Sequence, residues 1–221
     1  MKKFVKLILV LIIPLTLTAC MAARLAADTL PYLGGEKILF KDDFSSKTGG
    51  WTVHEDSLSA SGYSQDGFRI WVNLPHYQFW SVPGLNFQDV ILQVDATKLA
   101  GPADNLFGLL CRYQDDGNFY AFVIGSDGYY GIYKIVDGKQ SLIDQVHLDF
   151  SERIYAGDAS NQIQAVCQAD QLALIVNETK LLQVTDKTFT HGDVGMIAGS
   201  FSIKGVEILF DNFIVINPKA Q

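Results

Sequence analysis

Residues 105–136 read NLFGLLCRYQDDGNFYAFVIGSDGYYGIYKIV, three apolar, aromatic-rich runs broken by Asp116-Gly117 and Asp127-Gly128. An Asp-Gly pair tolerates the positive φ that tight hairpins require, so two of them between β-prone runs predict a three-stranded antiparallel meander. Phe, Tyr, Val, Ile and Leu fill the runs, and these side chains suit a pleated surface packed on at least one side. The meander is expected to form the centre of a β-sandwich.

The rest of the chain follows the same pattern. Residues 38–40 lead into Asp42-Asp43-Phe44, a turn-rich SSKTGG and Trp51. In residues 67–74, Phe68, Ile70, Val72 and Leu74 alternate with Arg69, Trp71 and Asn73. Residues 89–99 place Val90, Leu92 and Val94 on one face, and Asp137-Gly138 makes a third turn after the meander. The polar stretch 149–160 is expected to be a crossing loop. Residues 161–168 and 171–176 form a further pair, with Asn177-Glu178 as the next hairpin tip, followed by strands in 181–184, 192–198 and 205–216. Strand-like runs about every ten residues with turns between them are the pattern of a sandwich or jelly roll. No helical period persists after the first residues, and 221 residues suit one large β domain rather than two.

The opening of the chain carries its own signal. Lys2, Lys3 and Lys6 precede the apolar run 7–17, which is too short to span a bilayer as a helix and ends in Leu17-Thr18-Ala19-Cys20. That tetrapeptide resembles the lipobox of bacterial lipoproteins. The resemblance implies cleavage after residue 19, an acylated Cys20 (palmitate among its chains) and attachment to the outer face of the cell membrane or to the outer membrane. Several acyl chains make such attachment stable. Residues 20–36, with Pro31 and Gly34-Gly35, read as a tether or as a helical turn packed on the domain that begins at residue 37 and runs to 218. The alternative is an ordinary secretory signal or an uncleaved anchor. Removing residues 1–19 takes three lysines from 17 basic residues, leaving 14 against 24 acids and a net charge of −10. A chain this acidic, without a Lys/Arg run, has no electrostatic footprint for nucleic acid, and anionic lipid repels it, so the acyl chains must hold it to the bilayer. With Cys20 assigned to lipid, Cys111 and Cys167 remain. Outside the cytoplasm two such thiols tend to be bridged, the alternative being two separate buried thiols.

Several segments stand in one order: DDF and GW near the start, FGLLCRYQDDGNFYAFVI, NQIQAVCQADQLALIVNETKLLQVTD, GDVGMIAGS, and FDNFIVINP. Together they resemble the concanavalin A-like lectin and glucanase superfamily, more narrowly bacterial laminin-G-like and family-16 glycosidase-like jelly rolls. The resemblance implies an all-β, two-sheet antiparallel sandwich, one sheet concave, with the first and last strands adjacent. It also implies a structural calcium between those strands, for which Asp43 and Asp211 are the candidate ligands. The alternative for these acids is turn hydrogen bonding.

Family-16 hydrolysis needs Glu-x-Asp-x-Glu on one strand, whereas the acidic strand here reads VILQVDATK without a glutamate. No Gly-x-Ser-x-Gly, His-Glu-x-x-His or P-loop spacing is present, and His54, His76, His147 and His191 stand alone. A sugar site instead needs aromatic faces beside directed hydrogen-bonding groups. Trp71, Tyr77 and Trp80 lie within ten residues, among Arg69, Asn73, His76 and Gln78, and are read as a binding loop. Arg112, Tyr120 and Tyr130 are further candidates, with Arg112 sharing a face with Leu110 and Gln114; core packing and a structural ion pair are the competing roles. The expected function is a non-catalytic module that binds cell-wall or extracellular glycan. The alternatives are a structural or protein-interaction module of an envelope complex and a divergent glycoside hydrolase.

Overall fold

The computed structural model describes residues 37–218. The leader (1–19), Cys20 and the tether (20–36) lie outside the described residues. Two antiparallel sheets account for the regular structure. Sheet A contains β1 (Lys37–Asp42), β2 (His54–Glu55), β3 (Ser59–Ser64), β4 (Gly67–Val72), β6 (Val90–Ala100), β12 (Ser160–Gln168), β13 (Gln171–Val176), β14 (Thr179–Thr185) and β16 (Val206–Asn217). Its order is β14-β13-β12-β6-β16-β4-β3-β2, with β1 paired to β16 beyond the stretch used by β4. Sheet B contains β5 (Tyr77–Ser81), β7 (Asn105–Asp115), β8 (Asn118–Ile124), β9 (Tyr129–Val136), β10 (Lys139–Leu142), β11 (Asp149–Phe150) and β15 (Asp193–Ser200). Its order is β10-β9-β8-β7-β15-β5, with β11 on the end of β9.

The meander is β7-β8-β9, and it is continued by β10. The Asp137-Gly138 turn takes left-handed φ at both positions, 49° and 76°, as the tightest hairpins demand. Asn177 and Glu178 do the same at the β13–β14 tip, with φ of 47° and 66°. The first and last strands are adjacent, Asp42 opposing Phe213.

Alternation supplies the core. Phe68, Ile70 and Val72 from β4, Leu92 and Val94 from β6, Phe107 and Leu109 from β7, and Phe122 from β8 meet between the sheets with at most 1% of their surface exposed. Cys111 on β7 and Cys167 on β12 are disulfide-bonded across this interior, with Cα atoms 6.8 Å apart. The bridge closes 56 residues of chain and contributes about 4 kcal/mol through the unfolded state. At one end of the sandwich an aromatic plug of Phe40, Phe44, Trp51, Phe68 and Phe213 is pinned by Asp42, whose carboxylate accepts the Phe44 amide (2.8 Å) and the Trp51 indole N–H (2.9 Å). A side chain at Gly49 would run into that carboxylate and the indole ring, which explains a glycine immediately before the tryptophan's turn.

Candidate ligand-binding site

On β4 the residues between the core positions point outward. Trp71 faces Ala60 on one side and Glu207 on the other; Arg69 faces Gly62 and Leu209. Ala60 and Gly62 are too small to fill the outer surface beside an indole, so a hollow opens there. Its volume is about 560 Å³, and its walls include Trp71, Arg69, Glu207, His54, Glu55 and Asp56. Arg69 and Glu207 form an ion pair at its floor. His54 Nε2 lies 3.1 Å from the Asp56 carboxylate. The amides of Ser59 and Leu58 also donate to Asp56, each at 2.8 Å, and hold its pKa below the ordinary carboxylate value. Tyr63, also in the wall, has a buried hydroxyl without a hydrogen-bond partner.

A second hollow of about 360 Å³ adjoins it, and Val53 and His54 belong to both. Tyr77, Gln78, Trp80, Tyr113 and Asp116 form its other walls. Asp116 accepts hydrogen bonds from the Trp80 indole (3.2 Å) and the Tyr113 hydroxyl (2.6 Å). Burial, and then the bond to Asp116, pushes the Tyr113 phenol up to about 12. His54 packs on Phe79 with ring centroids 5.1 Å apart, which fixes the wall between the hollows.

Trp71, Tyr77 and Trp80 therefore meet at one edge of the sandwich, but not as a loop. Trp71 is the last residue but one of a strand of sheet A, while Tyr77 and Trp80 begin and nearly end a strand of sheet B. Four residues, 73–76, carry the chain from one sheet to the other. The segment 59–64, SASGYS, supplies the small side chains of the first hollow, and its Ser/Gly content carries little strand signal.

The other candidates sit elsewhere. Arg112 does not share a face with Leu110, because β7 bulges after Cys111 and Arg112 takes a left-handed φ of 53°. That kink swings the guanidinium inward, where it is 2% exposed and donates to the Gln88 and Phe189 carbonyls and to Asp89. Tyr120 lies in the core, its hydroxyl donating to Asp186 at 2.6 Å; burial and then that bond raise it to about 12. Tyr130 packs against the same core and donates to the Leu181 carbonyl. Tyr120 and Tyr130 are thus tied into the core, while Arg112, though little exposed, lies in the wall of a separate hollow of about 470 Å³ with Asp89, Asp170 and Lys187.

Calcium takes six to eight oxygens, carboxylates and backbone carbonyls alike, and both candidate acids are engaged in turn hydrogen bonds. Asp43 accepts from the Ser45 amide and hydroxyl, and Asp211 from the Asn212 amide. Among the described residues no three His, Cys, Asp or Glu side chains are grouped as a metal site. The acidic strand β6 directs Asp95 to Asn212 (3.0 Å) and to Gln162 (3.4 Å), and Gln93 accepts from Gln164 (2.8 Å).

Sheet B curls strongly. Its edge strands β5 and β10 are five strand steps apart, about 24 Å on a flat sheet. Yet Gln78 donates to Gln140 across that width at 3.1 Å, and Tyr133 reaches Gln78 at 2.6 Å. The outer face of sheet B is thus concave, and Leu106, Leu110, Phe119, Val123, Tyr133, Ile135 and Ile197 fill it.

The sequence matches no protein-family model and no curated protein. Solved structures do match. A carbohydrate-binding module of Bacillus subtilis, CBM66, superimposes with a TM-score of 0.63 at 15% identity, covering 79% of this chain and 99% of that one. A Bacillus subtilis protein of unknown function with a galectin-like fold gives a TM-score of 0.60 at 11% identity, covering 84% and 99%. The GH16 protein of the Bacteroides ovatus mixed linkage glucan PUL, in complex with a G4G4G3G product, gives 0.57 at 11% identity, covering 80% and 100%. The fold is a concanavalin A-like jelly roll. At these identities the likeness shows the architecture alone. In this concanavalin A-like sandwich the concave face is filled by the chain's own side chains, and the two hollows that present an indole lie at the edge where β2 and β5 meet.

Proposed function

We propose that this chain is a lipid-anchored, extracytoplasmic module that binds carbohydrate without cleaving it. The observation that carries the reading is the Trp71 hollow. It offers an aromatic face, whose apolar surface suits the C–H face of a pyranose, ringed by charged groups able to direct hydrogen bonds to hydroxyls. A neighbour titled a carbohydrate-binding module, with the same fold over nearly its whole length, supports the ligand class. The lipobox resemblance at Cys20 supports the anchor and the location.

The non-catalytic part rests on the carboxylates. The acids of the sheet B strands stand at strand ends and accept hydrogen bonds, Asp115 from the Gly117 and Asn118 amides, Asp149 from Gln145 and Asp193 from the Gly84 and Val194 amides, and Asp116 at the rim is held by Trp80 and Tyr113. In the Trp71 hollow Glu207 is tied to Arg69, and Asp56 to His54 and two amides, which leaves Glu55 as the one carboxylate there without an ion pair among the described residues. A glycosidase needs one carboxylate free to attack or activate water and a second to protonate the leaving group.

A glycan array probed with the full chain in detergent tests the proposal. Wild type is expected to retain a defined set of glycans, and Trp71→Ala to lose at least about tenfold in affinity for them. Uniform background signal across the array would overturn it.

A further inference from the structure

The two hollows share a wall, and both present an indole. We infer that they are subsites of one extended site, which takes a neutral oligosaccharide of several units running from Trp71 to Trp80 over Val53 and His54. This rests on the glycan reading of the Trp71 hollow and names the class of glycan.

Three observations carry it. The first is continuity: Val53 and His54 line both hollows, and Val53 is 63% exposed, so it forms a low saddle that a ligand can cross. A single sugar would use one side of the saddle only. The second is rigidity. His54 is held by Asp56 and by the Phe79 ring, Trp80 by Asp116 and by Phe119 at 5.1 Å, so the two platforms keep a fixed spacing that a chain of linked rings can match. Such fixed side chains lose little freedom on binding. The third is charge. Three of the four carboxylates in the combined walls are already partnered: Glu207 by Arg69, Asp56 by His54, Asp116 by Trp80 and Tyr113. Lys47 and Glu55 make no ion pair among the described residues, and they are opposite in sign. The site therefore has no surplus of positive charge for uronate, sialate or sulfate groups, on a chain whose net charge is −7.

Calorimetric titration of the full chain in detergent tests the inference, with cello-, xylo-, malto- and fructo-oligosaccharides of one to six units and an oligogalacturonate series. In one neutral series affinity should rise about tenfold over the first few units and then level off. Trp80→Ala should abolish that rise. Val53→Trp, an exchange at an exposed position that leaves the core untouched, should do the same by blocking the saddle. Length-independent affinity, or a rise that survives both substitutions, would overturn the extended site and leave a one-pocket glycan module. Tighter binding of the oligogalacturonates would overturn the neutral class. Absence of binding by every series would overturn the glycan reading beneath it.

Discussion

Single residues show where pattern and chemistry part company. Alternation placed Arg112 on one face with Leu110, and a bulge with a left-handed φ reversed it. Nothing in a non-glycine tripeptide announces such a kink, because its cause is the Asp89, Gln88 and Phe189 acceptors brought up from distant loops. Trp71 was legible, since the strand around it alternates cleanly. Tyr63 carries a prediction of its own. Burial raises its phenol pKa, and its oxygen is enclosed without a partner. The Gly49 and Trp51 amides lie near that oxygen and temper the rise without completing a hydrogen bond, so Tyr63→Phe should leave stability unchanged or raise it by up to about 1 kcal/mol. Urea denaturation of the two proteins measures this; a loss of stability would mean that the hydroxyl is partnered in solution.

Between elements, the least visible joints are polar. Asp186, just beyond β14 of sheet A, accepts from Tyr120 on β8, Lys134 on β9 and the Thr188 amide, and so ties the two sheets together. Burial opposes its charge, but the Lys134 ammonium, Thr188 and Tyr120 outweigh that and hold its pKa far below the ordinary carboxylate value. A lowered folded pKa means that the stabilisation is complete above the unfolded value of about 3.9 and is lost as pH falls through the folded one. Asp186→Asn should cost about 2 kcal/mol at neutral pH, and the gap to wild type should narrow below about pH 4. Unfolding curves from pH 7 to pH 2 would show it; a gap independent of pH would assign the loss to packing. Long apolar strands and Asn-Glu or Asp-Gly tips were readable from spacing, whereas β3 and β5 were not. Their serines, and the bulky Tyr77 and Trp80 so close after Pro75, resemble loop composition until β4 and β15 supply partners.

For the molecule as a whole, two sheets stapled through Cys111 and Cys167 make a rigid body with the two indole-lined hollows side by side on one edge. The architecture was legible because strand spacing is a global property; which face would be open was not, since it depends on the curl of sheet B. Attachment is testable independently of ligand. With Cys20→Ala, incorporation of an alkyne-tagged fatty acid and partition into the detergent phase should both be lost, and persistence of the label in the variant would place the acyl group elsewhere. The order of sheet A has a consequence for biogenesis. Its middle is occupied by β16, the last strand in chain order, which pairs with β6, β4 and β1. Until that strand emerges, β6 and β4 have no common neighbour and the nine-stranded layer stays in two halves. A polypeptide halted short of residue 206 should therefore lack the joint of that layer and be cut far faster by protease than the full chain.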